Sequence, residues 1–134
     1  MPASFSKDER LHSFKEIQSL MKGGETFFHD PFKVVCQNIP LEGENDMRPN
    51  AIIVSVPKRH FKRAVKRNLL KRRIRESYRL NKEALSAPQG CRTNALFVYI
   101  SKEVKEFSYI ETRMKEAMLM VSQGKTKKEA GNED

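Results

Sequence analysis

The chain of 134 residues is 38% hydrophobic and 32% charged, and its formal net charge is +9. This size suits one soluble domain with a modest core, and no apolar run approaches the roughly 20 residues of a membrane span. The opening residues lack the apolar segment of a secretory signal, so a cytoplasmic location is expected. Cys36 and Cys91 form no CxxC pair, and in such a location both thiols are expected to be reduced. The three histidines show no zinc-ligand spacing, which argues against a metal site built by the protein.

The N-terminal half predicts one helix and three strands. Ser13 and Glu16 form a capping box that opens a short amphipathic helix over residues 13–22, and two glycines end it. Short strands are expected over residues 26–28 and 32–36. The polar residues 37–50 are expected to form the tip of a hairpin, and the β-branched run 51–56 predicts a buried strand.

The C-terminal half predicts a basic helix, a strand and a last helix. Residues 58–82 are rich in Lys, Arg and Leu and contain no Gly or Pro, which favours a helix. The strongly apolar residues 94–100 are expected to form a strand. Ser108 and Glu111 predict a second capping box, followed by an apolar helix face. The aromatic residues of the strands are expected to lie mostly in the core: Phe27, Phe28, Phe97 and Tyr99.

The element order therefore predicts the α+β class, as a two-layer α/β sandwich with the order α-β-β-β-α-β-α. One domain should span residues 1–122, and the polar residues 123–134 should form a disordered tail.

Positive charge is concentrated in the basic segment. Residues 58–82 contain twelve Lys and Arg but only one acid, Glu76, so the segment is more positive than the whole chain. Arg67, Lys71 and Arg75 recur every four residues and share one side of the predicted helix, with Arg72 beside them. A solvated helix face would mix both signs of charge. The pattern favours binding to a polyanion, of which nucleic-acid phosphate is the commonest.

At these residues the sequence resembles the protein subunit of bacterial ribonuclease P. The family signature is R-N-R-x-x-K-R-x-x-R-E followed by an aromatic, and residues 67–76 read R-N-L-L-K-R-R-I-R-E with Tyr78 after them. Leu69 replaces the second arginine of the triplet. The strand and basic pair over residues 54–59 resemble the V-S-K-K element of the family. The resemblance covers roughly residues 9–121.

The resemblance implies a function and a fold detail. The family protein joins a catalytic RNA to form an endoribonuclease that removes the 5′ leader of precursor tRNA during tRNA maturation. The RNA subunit holds the Mg²⁺ ions and performs the hydrolysis, so no catalytic residue is expected in this chain. The implied partners are the ribonuclease P RNA and precursor tRNA, with neither DNA nor a membrane. The family resemblance also implies a left-handed crossover between the strands that flank the basic helix, against the general right-handed rule.

Two sets of site residues follow from the resemblance. The first should hold the RNA backbone and comprises Lys58, Arg59, Lys62, Arg63, Lys66, Arg67, Asn68, Lys71, Arg72 and Arg75. The second should line a cleft for the single-stranded leader, although two of its members are aliphatic where the family often has aromatics, and comprises Ile17, Met21, Thr26, Phe32, Val35 and Ser55.

Two other functions fit the charge. A structural protein bound to ribosomal RNA would share the size and basicity but would play no part in cleavage. A basic-zipper DNA binder would need apolar heptads after the basic region, and Pro88 and Gly90 interrupt the chain too early for them. No Ser-His-Asp, Cys-His or paired-carboxylate spacing is present, so an independent nuclease site is not expected.

Overall fold

The computed structural model describes residues 5–124, which form three helices and one four-stranded sheet. Two short 3-10 helices lie at Lys7–Glu9 and Lys82–Ala84. In chain order the main elements are α1 (Phe14–Gly23), β1 (Glu25–His29), β2 (Phe32–Pro40), β3 (Ala51–Ser55), α2 (Ala64–Leu80), β4 (Cys91–Tyr99) and α3 (Phe107–Gln123). The predicted class and the predicted order of the main elements are confirmed.

The strands lie in the order β1-β2-β4-β3, and only β3 and β4 run parallel. Helix α2 is therefore the crossover between two parallel neighbours, as the resemblance implied, while the hand of that crossover stays a prediction. The expected hairpin around residues 37–50 is wrong, because β4 lies between β2 and β3. Strand β4 is buried at six consecutive positions, and a strand covered on both faces belongs inside the sheet.

Each face of the sheet has its own apolar cluster. The larger cluster lies under α2 and α3, where Leu70 and Ile74 of α2 meet Met114 and Met118 of α3. The smaller cluster lies under α1 on the opposite face, and it centres on Leu20, which is fully buried. The sheet with α2 and α3 makes the two predicted layers, and α1 adds partial cover to the second face.

Two predicted helix starts were wrong. Helix α2 begins at Ala64, and residues 58–63 form a turn and a loop. The buried Phe61 holds this loop against Tyr99, with their ring centroids 6.0 Å apart, so a long-range contact overrides local helix propensity. Helix α3 begins at Phe107, before the predicted cap, and the Glu111 carboxylate instead accepts a hydrogen bond from Asn81 at 3.0 Å.

The last helix ends one residue after the boundary predicted at residue 122. Helix α3 runs to Gln123, and Gly124 ends it in the left-handed conformation at φ 66°, which glycine adopts without steric cost. The rest of the predicted tail, residues 125–134, lies outside the described residues. Among the helices of residues 5–124, none is long and apolar enough to cross a membrane.

Candidate nucleic-acid interface

The face of the sheet that carries α1 is organised in rows across the strands. Directly paired residues point to the same face, so pairing defines each row. One row reads Phe28, Lys33, Val98 and Ser55, and the next reads Thr26, Val35, Leu96 and Ile53. A third row, Gln37, Asn94 and Ala51, lies at the end where α1 packs.

Helix α1 covers only one end of this face. Ser13 caps its first turn by accepting the N–H of Glu16 at 3.3 Å, as predicted, but the Glu16 carboxylate turns instead to the buried Arg92 of β4, 3.5 Å away. Ser19 donates to the Gln37 side chain of β2 at 3.3 Å. These contacts fix α1 over the third row and leave the first row open. We call that open half of the face the cleft.

Five of the six predicted cleft residues share the α1 side of the sheet. Ile17 and Met21 belong to α1 itself. Thr26 lies exposed on β1, and Ser55 lies partly exposed on β3. Val35 is on the same side, but it is only 6% exposed and packs under α1, so it supports the helix and offers no open surface.

Phe32 is a wrong prediction. It is 0% exposed and belongs to the cluster under α2 and α3, with its ring 5.9 Å from that of Phe97. Val35 lies three residues further along the same strand, and an odd separation in a strand points side chains to opposite faces. Phe32 is therefore a core residue and cannot touch RNA in this fold.

The basic motif occupies one side of α2. Leu70, Ile74 and Tyr78 bury the adjoining side. At 100° per residue, the remaining motif residues follow each other along one flank, which we call the basic flank: Arg67, Asn68, Lys71, Arg72 and Arg75. Arg73 points the other way and donates to the backbone carbonyl of Lys105, which explains why this arginine stands outside the basic flank.

The other predicted cations lie before or at the start of α2. Lys58, Arg59, Lys62 and Arg63 are exposed on the loop, and Lys66 is exposed on the first turn of the helix. Arg67 shapes this loop, because its guanidinium donates to the backbone carbonyls of Phe61 and Lys62, both at 2.8 Å. Arg67 therefore has a structural role in the loop, and its remaining N–H groups can still donate to a phosphate.

The predicted cations carry little internal compensation. Glu76, the one acid of α2, pairs with Arg79 at 2.5 Å, one turn beyond the motif. Within residues 5–124, no carboxylate lies within ion-pair distance of Lys58, Arg59, Lys62, Arg63, Lys66, Arg67, Lys71, Arg72 or Arg75. A flank of uncompensated cations is a surface suited to phosphate.

The basic flank and the cleft meet at the edge of the sheet. Arg75 of α2 lines a small hollow together with Arg10 and with Ile53 of β3, the edge strand. Ile53 also belongs to the second row of the cleft face. Arg10 and Leu11 pair with the edge of β3 at Ile52, where the Leu11 N–H donates to the Ile52 carbonyl at 2.8 Å. The hollow at Ile53 is therefore the place where the basic flank comes nearest to the cleft face.

Comparisons with known proteins identify the family of this chain. A family model described as Ribonuclease P matches residues 5–122. The chain belongs to the ribonuclease P protein family. It is similar to the ribonuclease P protein component of Porphyromonas gingivalis, with 35% identity over 90% of each chain. It is also 34% identical to the component of Haemophilus influenzae, over 74% of this chain and 72% of that one.

Solved structures of ribonuclease P proteins share the fold. A mutant protein of Staphylococcus aureus, described as defective in mRNA degradation activity, superposes with a TM-score of 0.66 at 20% identity, over 87% of this chain and 90% of that one. The protein of Thermotoga maritima gives 0.64 at 21% identity, over 83% and 96%. At these identities the match concerns the fold alone.

Three surface residues of this ribonuclease P family member were missed from the sequence. Phe28 was predicted to lie in the core, yet it is 65% exposed on the cleft face, and Lys33 is its direct partner on β2. Strand alternation was the available signal, since Phe27 and Phe28 cannot both face the core. Lys102 joins Lys62 and Lys66 around a hollow of about 340 Å³ beside the start of α2, and no sequence pattern marked it.

The two thiols and the carboxylates of residues 5–124 were considered as candidates for a reactive site or a metal site. Burial, with a smaller contribution from Glu25, raises the pKa of the Cys36 thiol to about 11, so it is protonated at neutral pH. Cys36 and Cys91 are both free. In the part of the chain that the structure describes, no group of three or more His, Cys, Asp and Glu side chains could hold a metal ion.

Proposed function

We propose that this chain is the protein component of a ribonuclease P ribonucleoprotein, which assists endonucleolytic removal of the 5′ leader from precursor tRNA in the cytoplasm. The observation that carries the proposal is the junction at β3. There Arg75, at the end of the row of uncompensated cations on α2, adjoins the sheet face that carries the cleft, and cations beside an open face suit single-stranded RNA. Family membership supports the same assignment.

The two surfaces would divide the work. Lys71, Arg72 and Arg75, with the loop cations, would hold the backbone of the ribonuclease P RNA, because guanidinium groups match pairs of phosphate oxygens. The cleft would hold the leader of precursor tRNA. Since mature tRNA lacks this segment, the cleft would favour substrate over product.

The chemistry would belong to the RNA partner. The family resemblance assigns the catalytic Mg²⁺ ions to the RNA subunit, and the described carboxylates offer no cluster that could hold such an ion. This chain would then contribute positive charge and position. Neutralising phosphate repulsion would tighten substrate binding and favour Mg²⁺ occupancy in the RNA.

Reconstitution tests the proposal. The protein is combined with a bacterial ribonuclease P RNA, and cleavage of precursor tRNA is followed at a low Mg²⁺ concentration where the RNA alone is slow. We expect the complex to cleave at the mature 5′ end and the nuclease-free protein alone to leave the substrate intact.

Two outcomes would contradict it. Site-specific cleavage by the protein without RNA would place the chemistry in this chain. Unchanged cleavage on adding the protein, together with tight binding to ribosomal RNA, would favour the structural ribosomal alternative.

A further inference from the structure

Phe28 is an unusual residue on the face that we assign to the leader. Its neighbour Phe27 is 7% exposed in the core, whereas Phe28 is 65% exposed on the opposite side of β1. Single exposed apolar residues are common and need no explanation by themselves. Phe28 differs from such residues because it lies in the open row of the cleft, directly beside Lys33.

The open row combines apolar and cationic groups across the whole sheet. Phe28 is paired with Lys33, Lys33 with the half-buried Val98, and Val98 with Ser55. Neighbouring strands are about 4.8 Å apart, so the row spans roughly 14 Å over four strands. Beyond Ser55 the chain continues into Lys58 and Arg59, which are exposed.

We propose that the leader crosses the sheet along this row, from the Lys58 and Arg59 end toward β1, and that one of its bases stacks on Phe28 while Lys33 binds an adjacent phosphate. This inference rests on the proposed function and specifies the path and the stacking residue. Ile17 of α1 packs against the cluster beneath the helix, and the exposed Met21 follows one turn later, so both would stand beside that path.

The chemistry of the row favours single-stranded RNA over an apolar partner. A cation lies directly beside the exposed ring, and two further cations follow the opposite end of the row. Single-stranded nucleic acid is bound by this combination of stacking ring and phosphate ligand, and stacking tolerates any base. An apolar peptide would instead have to desolvate the Lys33 ammonium without pairing it.

The same residue accounts for a departure from the family pattern. The positions where the family often places cleft aromatics are Ile17 and Val35 here, and Val35 is buried under α1. Phe28 lies on the neighbouring strand, and its partner Lys33 is two residues before Val35 on β2. The stacking surface is thus displaced to the edge strand β1, and the cleft keeps an aromatic ring.

A single tryptophan can report this contact, because the chain contains none. Phe28→Trp is compared in the reconstituted complex with Leu119→Trp, whose partly exposed position lies on α3, across the sheet from the cleft. We expect precursor tRNA to quench the emission of Phe28→Trp and mature tRNA to leave it unchanged. The emission of Leu119→Trp should respond to neither RNA.

Affinity supplies the second readout. Phe28→Ala should lower the ratio of precursor to mature tRNA affinity about fivefold or more, Phe28→Tyr should restore most of it, and Leu119→Ala should leave it unchanged. Lys33→Ala should lower the ratio less and reduce its salt dependence. The affinity for the ribonuclease P RNA should stay the same in all four variants.

The outcomes separate this inference from the proposed function. A wild-type complex that does not prefer precursor over mature tRNA would overturn both. A wild-type complex that does prefer precursor, combined with an unquenched Phe28→Trp and an unchanged ratio in Phe28→Ala, would overturn only the path proposed for the leader.

Discussion

Replacing Arg72 or Arg75 by alanine should weaken binding to the ribonuclease P RNA in a salt-dependent manner. Both side chains are exposed on the basic flank, and within residues 5–124 neither has a carboxylate partner. The matched control is Arg113→Ala, which removes the same charge from α3, where Arg113 lies 3.3 Å from Glu116 and over the Tyr109 ring. Arg113 lies on α3, outside the basic flank, and screening limits the reach of a surface charge to about 10 Å at ordinary ionic strength.

The size of the effect follows from counterion release. Each phosphate contact contributes about 0.7 to 0.9 to the slope of the logarithm of the binding constant against the logarithm of salt concentration. When the salt concentration rises fourfold, the advantage of the wild type over each single variant should shrink about threefold. The double variant should lose about twice the slope of one, and the advantage over it should shrink roughly tenfold.

The measurement is fluorescence anisotropy of labelled ribonuclease P RNA, titrated with each variant at four or more salt concentrations. Circular dichroism confirms that each variant is folded. The reasoning would be refuted if Arg72→Ala and Arg75→Ala kept the wild-type slope, or if Arg113→Ala lost as much slope as they did.

Three predictions concern stability. The Glu9 carboxylate is buried, but hydrogen bonds from Lys82 and from the Ser6 backbone outweigh that burial and lower its pKa. The Glu9–Lys82 pair should therefore stabilise the fold above the ordinary glutamate pKa and lose that effect as the pH falls. Lys82→Met should cost about 1 to 3 kcal/mol in urea unfolding at pH 7 and less near pH 3, and an equal cost at both would contradict the linkage. Asn94 is fully buried, and within the described residues its side-chain amide has no hydrogen-bond partner. Asn94→Leu should therefore leave the free energy of unfolding unchanged or raise it by about 1 kcal/mol. A large loss of stability would show that the amide does have a hydrogen-bond partner. Leu20→Ala should cost about 2 to 5 kcal/mol by the same measurement, and a cost below 1 would mean that α1 is not anchored by this side chain.

Elements with a strong local signal were predictable from the sequence. The β-branched run at Ala51–Ser55 became β3, and the spacing of Met114 and Met118 gave the buried face of α3. The start of α2 was not predictable from propensity, because it depends on the packing of Phe61 against Tyr99, a residue far along the chain. The sheet order likewise depends on pairings between distant segments, which no local pattern contains.

For the site, charge was easier to predict than exposure. The basic flank follows from helical spacing, and the structure places its members together as expected. The cleft residues were predicted from the family resemblance. A resemblance gives the position of a residue in the sequence, but it does not give the face of the strand on which the side chain lies. Side chains alternate between the two faces along a strand. This alternation alone predicts that Phe32 and Val35 lie on opposite faces of the sheet, and likewise Phe27 and Phe28.

The cleft itself is a consequence of unequal element lengths. Strands β2 and β4 have nine residues each, or about 30 Å, whereas α1 has ten residues and spans about 15 Å. On the other face, α2 and α3 have seventeen residues each, about 25 Å, and their apolar sides bury most of the sheet. A helix half as long as the strands beneath it must leave part of the sheet open, wherever it is anchored. Because the contacts of Ser19 and Glu16 hold α1 at the Gln37 end, the open part is the row from Ser55 to Phe28, the end of the sheet from which the basic loop leaves β3.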